Sequence, residues 1–258
     1  VAVMREVRRV LRDDGTLWLN LGDSYSGGGG YAPDAPSNQA DRDVTNRGKS
    51  RLYKGRAPAS GLKPKDLVGI PWRVAFALQA DGWYLRSDII WSKPNPMPES
   101  VTDRPTKAHE YLFLLTKQPR YYYDADAIRE DAVYGRREWS SVKGNMAGVG
   151  LGGERGHATV SGGDPSAGRN RRSVWTVTTQ PYPEAHFATF PEKLVEPCIL
   201  AGSKPGDLVL DPFAGSGTVG RVARRFGRRF VGVELNPAYL RLARRRMTQV
   251  QQRIEAIA

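Results

Sequence analysis

Apolar and polar residues along this chain follow patterns that predict alternating helices and strands. Apolar residues spaced three and four apart predict helices, and short apolar runs bounded by glycine or proline predict strands. The first part of the chain contains five such segments: helices over Val3–Leu11 and Ile70–Ala80, and strands over Thr16–Gly22, Trp83–Lys93 and His109–Lys117.

The same patterns are clearest near the end of the chain. They predict a helix over Glu192–Ala201, a strand in GDLVLDPF, a helix that ends at Gly227 and a strand in RRFVGVEL. A long basic helix then begins at Asn236-Pro237, where Asn is a favoured N-cap residue and Pro a favoured first helical residue. The order α-β-α-β-α predicts a parallel sheet with helices on its faces, and hence an α/β fold.

Two segments between these elements lack hydrophobic periodicity. Residues 26–60 are rich in Gly, Ser, Pro and basic residues, which is typical of a mobile loop. Residues 131–180 contain much Gly, Ser and Arg, and we interpret them as an insertion with a role of its own. The predicted organisation is therefore a first part over 1–130, an insertion over 131–180 and a final part over 181–258.

The charge of the chain favours a polyanionic partner. The 258 residues carry a formal net charge of +12, a balance that most often indicates nucleic-acid binding. Basic residues concentrate in the two non-periodic segments, where they either contact phosphates and base edges or are simply solvated. The candidates are Arg47, Lys49, Arg51, Lys54, Arg56, Arg136, Arg137, Arg169, Arg171 and Arg172.

Composition also indicates the cellular setting. The sequence has no run of about 18 apolar residues and does not open with a secretory signal pattern. A single cysteine, Cys198, excludes an intramolecular disulfide, so a cytoplasmic location is expected. Cys198 lies in an apolar helical pattern without a neighbouring base, and we interpret it as a core residue. No metal is expected.

The stretch Gly215–Gly220 matches G-x-G-x-x-G between a predicted strand and a predicted helix. Glycines at this place allow a ligand to approach the backbone near the positive end of a helix. Glu234, at the end of the next predicted strand, can accept hydrogen bonds from ribose hydroxyls. Nicotinamide dinucleotides and S-adenosylmethionine both use such sites, so these features alone do not separate the two ligands.

Two further features favour S-adenosylmethionine. Asp211 stands at the strand tip before the first glycine, where it would repel a pyrophosphate but attract the ammonium of an aminoacyl sulfonium. Only about twenty residues follow Glu234, so the other strands of the sheet must precede this unit in a permuted order. No Lys-Ser/Thr pair follows the last glycine, which excludes a P-loop.

With these motifs in this order, the sequence resembles the β group of DNA amino-methyltransferases, which methylate cytosine N4 or adenine N6. DPFAGSGT is similar to the family's cofactor loop, HFATFPEKLVEPCI to the other wall of the cofactor pocket, and VGVELNPAYL to the ribose-binding motif. LRDDGTLWLNLGDSY, GWYLRSDIIWSKPNPMPES and KAHEYLFLLTK are similar to strands around the target-base pocket. The resemblance covers nearly the whole chain. It implies a Rossmann-like methyltransferase sheet in permuted order, with 131–180 as an inserted target-recognition region.

The resemblance assigns roles at the cofactor pocket. Asp211 would bind the ammonium and Glu234 the ribose, and Phe190 and Pro191 would pack against the cofactor. His186 would contact the carboxylate, or have only a structural role. The full set of expected S-adenosylmethionine contacts is His186, Ala188, Thr189, Phe190, Pro191, Asp211, Pro212, Phe213, Ala214, Gly215, Ser216, Gly217, Thr218, Glu234 and Asn236.

The family's catalytic tetrapeptide, Ser/Asn/Asp-Pro-Pro-Tyr, does not occur in this sequence. In the family it activates the exocyclic amine of a flipped base and stacks on that base. We expect it upstream of Val1, because the chain opens within a helix that leads to a buried strand; the chain would then be a fragment that binds cofactor better than it catalyses. Other base-pocket candidates, with loop capping and core packing as alternative roles, are Asn20, Asp23, Ser24, Tyr25, Trp91, Lys93, Asn95 and Met97.

Several alternatives stay open at the level of sequence. A catalytically degenerate relative would bind DNA without transferring methyl groups, and the same fold also serves RNA and protein methylation or, less favoured here, nicotinamide chemistry. The sequence gives only a slight preference for cytosine N4 over adenine N6, and it does not reveal a recognition site or a paired restriction nuclease. The expected partner is double-stranded DNA, and dimerisation is common in the family.

Overall fold

The computed structural model describes residues 1–26, 61–131, 168–179 and 190–255. Within these ranges the chain forms five α-helices and six strands. The helices are α1 (Ala2–Val10), α2 (Ile70–Ala80), α3 (Glu192–Gly202), α4 (Thr218–Arg225) and α5 (Pro237–Glu255), and the strands are β1 (Thr16–Leu21), β2 (Tyr84–Ser92), β3 (His109–Thr116), β4 (Val174–Thr176), β5 (Leu208–Asp211) and β6 (Arg229–Gly232).

The hydrophobic pattern predicted ten of these elements, and all ten are present. Their ends differ from the prediction by a few residues, as expected because helix and strand ends depend on caps and turns. The predicted cap of α5 is confirmed, since Asn236 Oδ1 accepts a hydrogen bond from the Ala238 N–H at 2.9 Å. Pro71 lies in the first turn of α2, as predicted.

The strands form two sheets. The first has the order β1-β3-β2-β4, in which β3 runs antiparallel to both β1 and β2 and β4 runs parallel to β2. The second contains β5 and β6 in parallel, as the α-β-α-β-α pattern predicted. In the described part of the chain, no strand pairing joins the two sheets.

Strand β4 lies within 131–180, the segment that the sequence predicted to be an insertion. Ile90, Trp91 and Ser92 of β2 pair with Val174, Trp175 and Thr176. Three residues are too few to show the alternation by which strands are recognised in a sequence. The final part of the predicted insertion therefore belongs to the sheet, and the prediction for 132–167 falls outside the described residues.

Helix α3 connects the two sheets through two of its faces. Leu194 and Cys198, one turn apart, pack with Trp91 and other core residues of the first sheet. Val195 and Ile199, displaced by one position, pack in a second cluster with residues of α4, β5 and β6. The helix thereby fixes the position of the β5–α4 loop relative to the first sheet.

The second sheet is covered on one face. Val209 and Phe230 pack beneath α3 and α4, whereas Leu208, Leu210 and Val231 are 57%, 37% and 46% exposed on the other face. Side chains alternate along a strand, so Asp211 continues the covered side of β5. Among the described residues, no helix combines the length and apolar composition needed to cross a membrane.

Candidate functional site

The loop between β5 and α4 contains one glycine with open space beside it and one that is tightly packed. Gly215 and Gly217 have positive φ angles of 49° and 79°. A Cβ atom at Gly215 would meet only the Phe213 carbonyl oxygen, at 3.9 Å, whereas at Gly217 it would lie 2.8 Å from Ala243 Cβ of α5. Gly215 therefore leaves room for a ligand, and Gly217 is required by the contact between the loop and α5.

Asp211 presents a carboxyl group at the carboxyl end of β5. Its Oδ1 accepts a hydrogen bond from the Phe213 N–H at 2.9 Å. Burial raises the pKa of Asp211 above its ordinary value of 3.8, the nearby Glu234 charge also raises it, and the Phe213 N–H lowers it. None of these causes is a positively charged side chain. A cationic ligand would therefore stabilise the ionised form of Asp211.

Glu234 joins the glycine loop to the end of β6. Its Oε2 accepts from the Gly215 N–H and its Oε1 from the Asn236 N–H, both at 2.8 Å. An ionised carboxylate has about four acceptor positions, so both oxygens retain capacity for ligand hydroxyls. Glu234 can thus hold the loop and accept hydrogen bonds from a ribose at the same time.

The remaining loop residues differ in accessibility. Phe213 is 64% exposed, and Leu235, which follows Glu234, is 95% exposed, so apolar surface lies open at the ends of β5 and β6. Ala214, Ser216 and Thr218 are buried beneath the loop. Among the predicted cofactor contacts of the loop, those accessible to a ligand are Asp211, Pro212, Phe213 and Gly215.

The predicted opposite wall is described only in part. Pro191 is the N-cap residue of α3 and is buried, and the half-buried Phe190 packs against the core clusters of both sheets. The other predicted contacts in this segment, His186, Ala188 and Thr189, lie outside the described residues.

The polar residues that follow β1 are used to build the local loop. Asn20 donates from Nδ2 to the Tyr111 carbonyl oxygen at 3.1 Å. The Asp23 side chain is 2% exposed, and its Oδ1 accepts from the Ser24 and Ile70 N–H groups, both at 2.9 Å. These contacts correspond to the loop-capping alternative and connect the end of β1 to the start of α2.

Two positively charged side chains surround this loop. Lys107 Nζ lies 3.7 Å from Asp23 Oδ2, and the Arg104 guanidinium stacks 3.7 Å from the centre of the Tyr25 ring. Tyr25 also forms an isolated β-bridge with Leu67. The segment 23–25 is therefore held in place by charge and backbone contacts at the carboxyl end of β1.

The candidates at the end of β2 have different environments. Trp91 is 3% exposed and donates from its indole nitrogen to the Val177 carbonyl oxygen at 2.7 Å, as a core residue does. Lys93 pairs with Glu110 and lies over the Trp91 ring at 4.4 Å. Asn95 exchanges hydrogen bonds with the backbone of Thr179. Met97, at 88% exposure, is the candidate here whose side chain is open to a partner.

The described basic candidates lie beside β4. Arg169 and Arg172 both approach Glu130 Oε2, at 3.4 and 3.2 Å, and Arg171 lies over the Trp175 ring at 4.7 Å. The Arg172 side chain is 67% exposed, so it can also reach a phosphate. The candidates outside the described residues are Arg47, Lys49, Arg51, Lys54, Arg56, Arg136 and Arg137.

The sequence analysis missed Arg246, a buried charged residue of α5. Its guanidinium donates to Ser216 and approaches Glu192, which links the glycine loop to the start of α3. A signal was present, because Arg246 occupies the helical stripe that also contains Leu242 and Ala243. An arginine in an otherwise apolar stripe indicates a specific buried partner.

We expect the Cys198 thiol to resist alkylation in the folded protein. Burial raises the pKa of Cys198 well above its ordinary value of 9.0, so the reactive thiolate is scarce. Treatment with iodoacetamide at pH 8, followed by mass spectrometry, should give modification only when urea is present. Rapid modification without urea would contradict the buried position.

The arrangement at the ends of β5 and β6 suits a ligand that combines a cation, hydroxyl groups and an apolar part. Asp211 supplies negative charge, Glu234 accepts hydrogen bonds, Gly215 leaves space and Phe213 offers an aromatic face. In the described part of the chain, no cluster of three or more His, Cys, Asp or Glu side chains could hold a metal ion. The geometry therefore fits S-adenosylmethionine, the cofactor predicted from the sequence.

Solved structures share this fold. The PvuII DNA methyltransferase (cytosine-N4-specific) superposes with a TM-score of 0.61 at 18% identity, over 98% of this chain and 74% of that chain. A putative DNA modification methylase of Thermus thermophilus, TTHA0409, in complex with S-adenosyl-L-methionine, gives a TM-score of 0.55 at 23% identity, over 96% and 74%. The chain therefore has the Rossmann-like methyltransferase fold.

Proteins with related sequences are more similar in sequence to this chain than these solved structures are. The Type II methyltransferase M.Cfr9I of Citrobacter freundii is 51% identical over 248 residues, which are 96% of this chain and 69% of that protein. M.SmaI of Serratia marcescens is 49% identical over 248 residues, or 96% and 72%. The model of the DNA methylase family that includes N6 and N4 methyltransferases matches residues 1–245. This chain belongs to that family of DNA methylases.

Proposed function

We propose that this chain binds S-adenosylmethionine at the ends of β5 and β6 and serves site-specific methylation of an exocyclic amine in double-stranded DNA. The observation that supports this most directly is the partly buried Asp211 carboxyl, with its raised pKa, at the start of the loop that contains the open Gly215. Membership of the DNA methylase family supplies the reaction class.

Each accessible residue of the site has a task in this proposal. Asp211 accepts hydrogen bonds from the ammonium of the cofactor, and Glu234 accepts from the ribose hydroxyls while it holds the Gly215 N–H. Phe213 offers its exposed ring as an apolar contact. S-adenosylmethionine supplies an electrophilic methyl group on a sulfonium, and direct transfer requires mainly positioning and electrostatic stabilisation. The buried Cys198 is not needed as a nucleophile.

The target base would bind near the carboxyl ends of β1 and β2. Asn20, Asp23, Ser24 and Tyr25 give this region a fixed shape, and Met97 offers exposed apolar surface. The residues that activate the amine are those of the Pro-Pro-Tyr type of motif, which the 258 residues lack. In the proposal they are supplied together with this chain, as part of a longer polypeptide.

Cytosine N4 is the first target to test, and adenine N6 is the alternative. The preference follows the slight indication of the sequence analysis, and the PvuII enzyme of the same fold is described as cytosine-N4-specific. A second candidate function is DNA binding without methyl transfer, and the presence or absence of the tetrapeptide upstream of Val1 discriminates between the two candidates. Both candidates use the net charge of +12 for contact with DNA.

The first experiment asks whether methylated bases form. The gene region that encodes residues 1–258, with its natural flanking sequence, is expressed in a host without DNA methylation, and the DNA is digested to nucleosides for mass spectrometry. We expect N4-methylcytosine, and N6-methyladenine would assign the alternative base. A folded protein that binds S-adenosylmethionine but leaves the DNA unmodified would indicate the DNA-binding relative.

A further inference from the structure

Arg246 is a buried cation in the middle of α5. The residue is 7% exposed and lies on the same helix face as Leu242 and Ala243, which are 8% and 4% exposed. A buried arginine is costly unless hydrogen-bond acceptors surround its guanidinium. Its partners therefore indicate what the residue is for.

Arg246 has hydrogen-bond partners in the glycine loop. Nη1 donates to the Ser216 carbonyl oxygen at 2.9 Å and contacts Ser216 Oγ at 2.8 Å, with Thr218 Oγ1 at 3.4 Å. Ser216 stands between Gly215 and Gly217, so a bond to its carbonyl oxygen fixes the peptide that joins Ser216 to Gly217. Ser216 and Thr218 are 5% and 7% exposed, so water cannot easily replace the guanidinium.

A second partner of Arg246 lies at the start of α3. Arg246 Nη2 is 3.8 Å from Glu192 Oε1, and Glu192 also pairs with Arg221 and Arg225 of α4, at 3.1 and 2.9 Å. Glu192 directly follows Phe190 and Pro191, which form the opposite wall of the proposed cofactor pocket. One guanidinium thus contacts both segments that the proposed pocket requires.

We propose that Arg246 is a positioning residue for cofactor binding. It acts through Ser216 and Glu192 and sets the conformation of the glycine loop and its distance from the start of α3. Loss of the guanidinium would let the loop relax, so that the Asp211 carboxyl and the open space beside Gly215 no longer match one ligand geometry. This inference rests on the proposed S-adenosylmethionine site.

The test compares two substitutions at this position with a control on the same helix. Arg246→Met removes the charge and keeps an apolar stem, Arg246→Lys keeps the charge but loses the fork of donors, and Leu242→Ala removes buried packing one turn away. Calorimetric titration of the 258-residue protein gives the Kd for S-adenosylmethionine, fluorescence anisotropy gives the Kd for double-stranded DNA, and thermal unfolding gives the folded fraction.

We expect Arg246→Met to raise the Kd for S-adenosylmethionine about tenfold or more, because small misplacements of binding groups have large effects. Arg246→Lys should restore part of the affinity, and the Kd for DNA should stay unchanged in both variants. If Arg246→Met fails to fold, Arg246→Lys is measured alone. Its Kd for S-adenosylmethionine should still be higher than that of the wild type.

The comparison with Leu242→Ala also defines the outcome that would contradict the proposal. If the Arg246 variants bind the cofactor as well as Leu242→Ala does at the same folded fraction, Arg246 is only a structural residue. Failure of the wild-type protein to bind S-adenosylmethionine would instead overturn the proposed function, and the inference with it.

Discussion

Asp211→Asn is expected to weaken S-adenosylmethionine binding about 10- to 100-fold, because a hydrogen bond to a charged group contributes about 1.5–3 kcal/mol. The free energy of unfolding at neutral pH should stay equal or increase. An asparagine can retain the hydrogen bond from the Phe213 N–H, which is 2.9 Å long in the structure. What the substitution removes is the negative charge.

The raised pKa of Asp211 explains why Asp211→Asn should weaken cofactor binding without lowering the free energy of unfolding. Burial is its largest cause, and the Glu234 charge adds to it. A carboxyl group with a raised folded-state pKa favours folding most below its unfolded pKa, and this contribution is lost as the pH rises through the folded pKa. At neutral pH the ionised Asp211 therefore opposes folding, and the charge is retained for a purpose other than stability.

The pH dependence of binding gives a related expectation. As the pH falls through the raised pKa of Asp211, the carboxyl becomes protonated and attracts an ammonium less strongly. The affinity for S-adenosylmethionine should therefore begin to fall at a pH above the ordinary value of 3.8. Asp211→Asn should be insensitive to pH over the same range.

The measurement uses calorimetric titration with the cofactor and urea unfolding of each variant. Asp207→Asn is a matched control, because Asp207 precedes the same strand and its Oδ2 accepts from the Lys204 N–H at 2.8 Å. The control should keep wild-type affinity. Equal affinities of Asp211→Asn and the wild type would remove Asp211 from the binding site.

Gly217→Ala is expected to lower the free energy of unfolding by about 2–5 kcal/mol, from two sources. Part of the loss, about 1–2 kcal/mol, is the strain of an alanine in the left-handed region. The rest, about 1–3 kcal/mol, is overpacking. At Gly217, which has φ of 79°, the new Cβ would lie 2.8 Å from Ala243 Cβ and 3.1 Å from Ala243 Cα on the buried face of α5.

Two other glycines separate strain from packing and from binding. Gly206 has φ of 86° with nothing within 4 Å of a Cβ, so Gly206→Ala should show only the strain, about 1–2 kcal/mol. At Gly215 the space beside the Cβ position is open, so Gly215→Ala should lose little more stability than Gly206→Ala does. The added methyl group should, however, obstruct cofactor binding. Urea unfolding of the three variants tests the assignment, and equal losses for Gly217→Ala and Gly206→Ala would contradict it.

The sequence determined the elements of this protein because their periodicity is local. The helical spacing in Ile70–Ala80 and the apolar run in Thr16–Gly22 need no tertiary information to be read. The same holds for the strand that ends at Asp211, the glycine loop and the helix that follows, because this order of residue types is specific and local. Together with the other motifs along the chain, these features predicted the family, which the family model and the relatives confirm.

Only the tertiary structure decided what the individual residues of the site contact. Gly215 and Gly217 look equivalent in the sequence, yet α5 approaches one of them and leaves the other open. Trp91 is a core residue because β4 packs beside it, and β4 itself is too short to be recognised from its sequence. Arg246 reaches Ser216 across 30 positions of the chain. Such contacts depend on which elements are brought together by folding, and no local pattern encodes that.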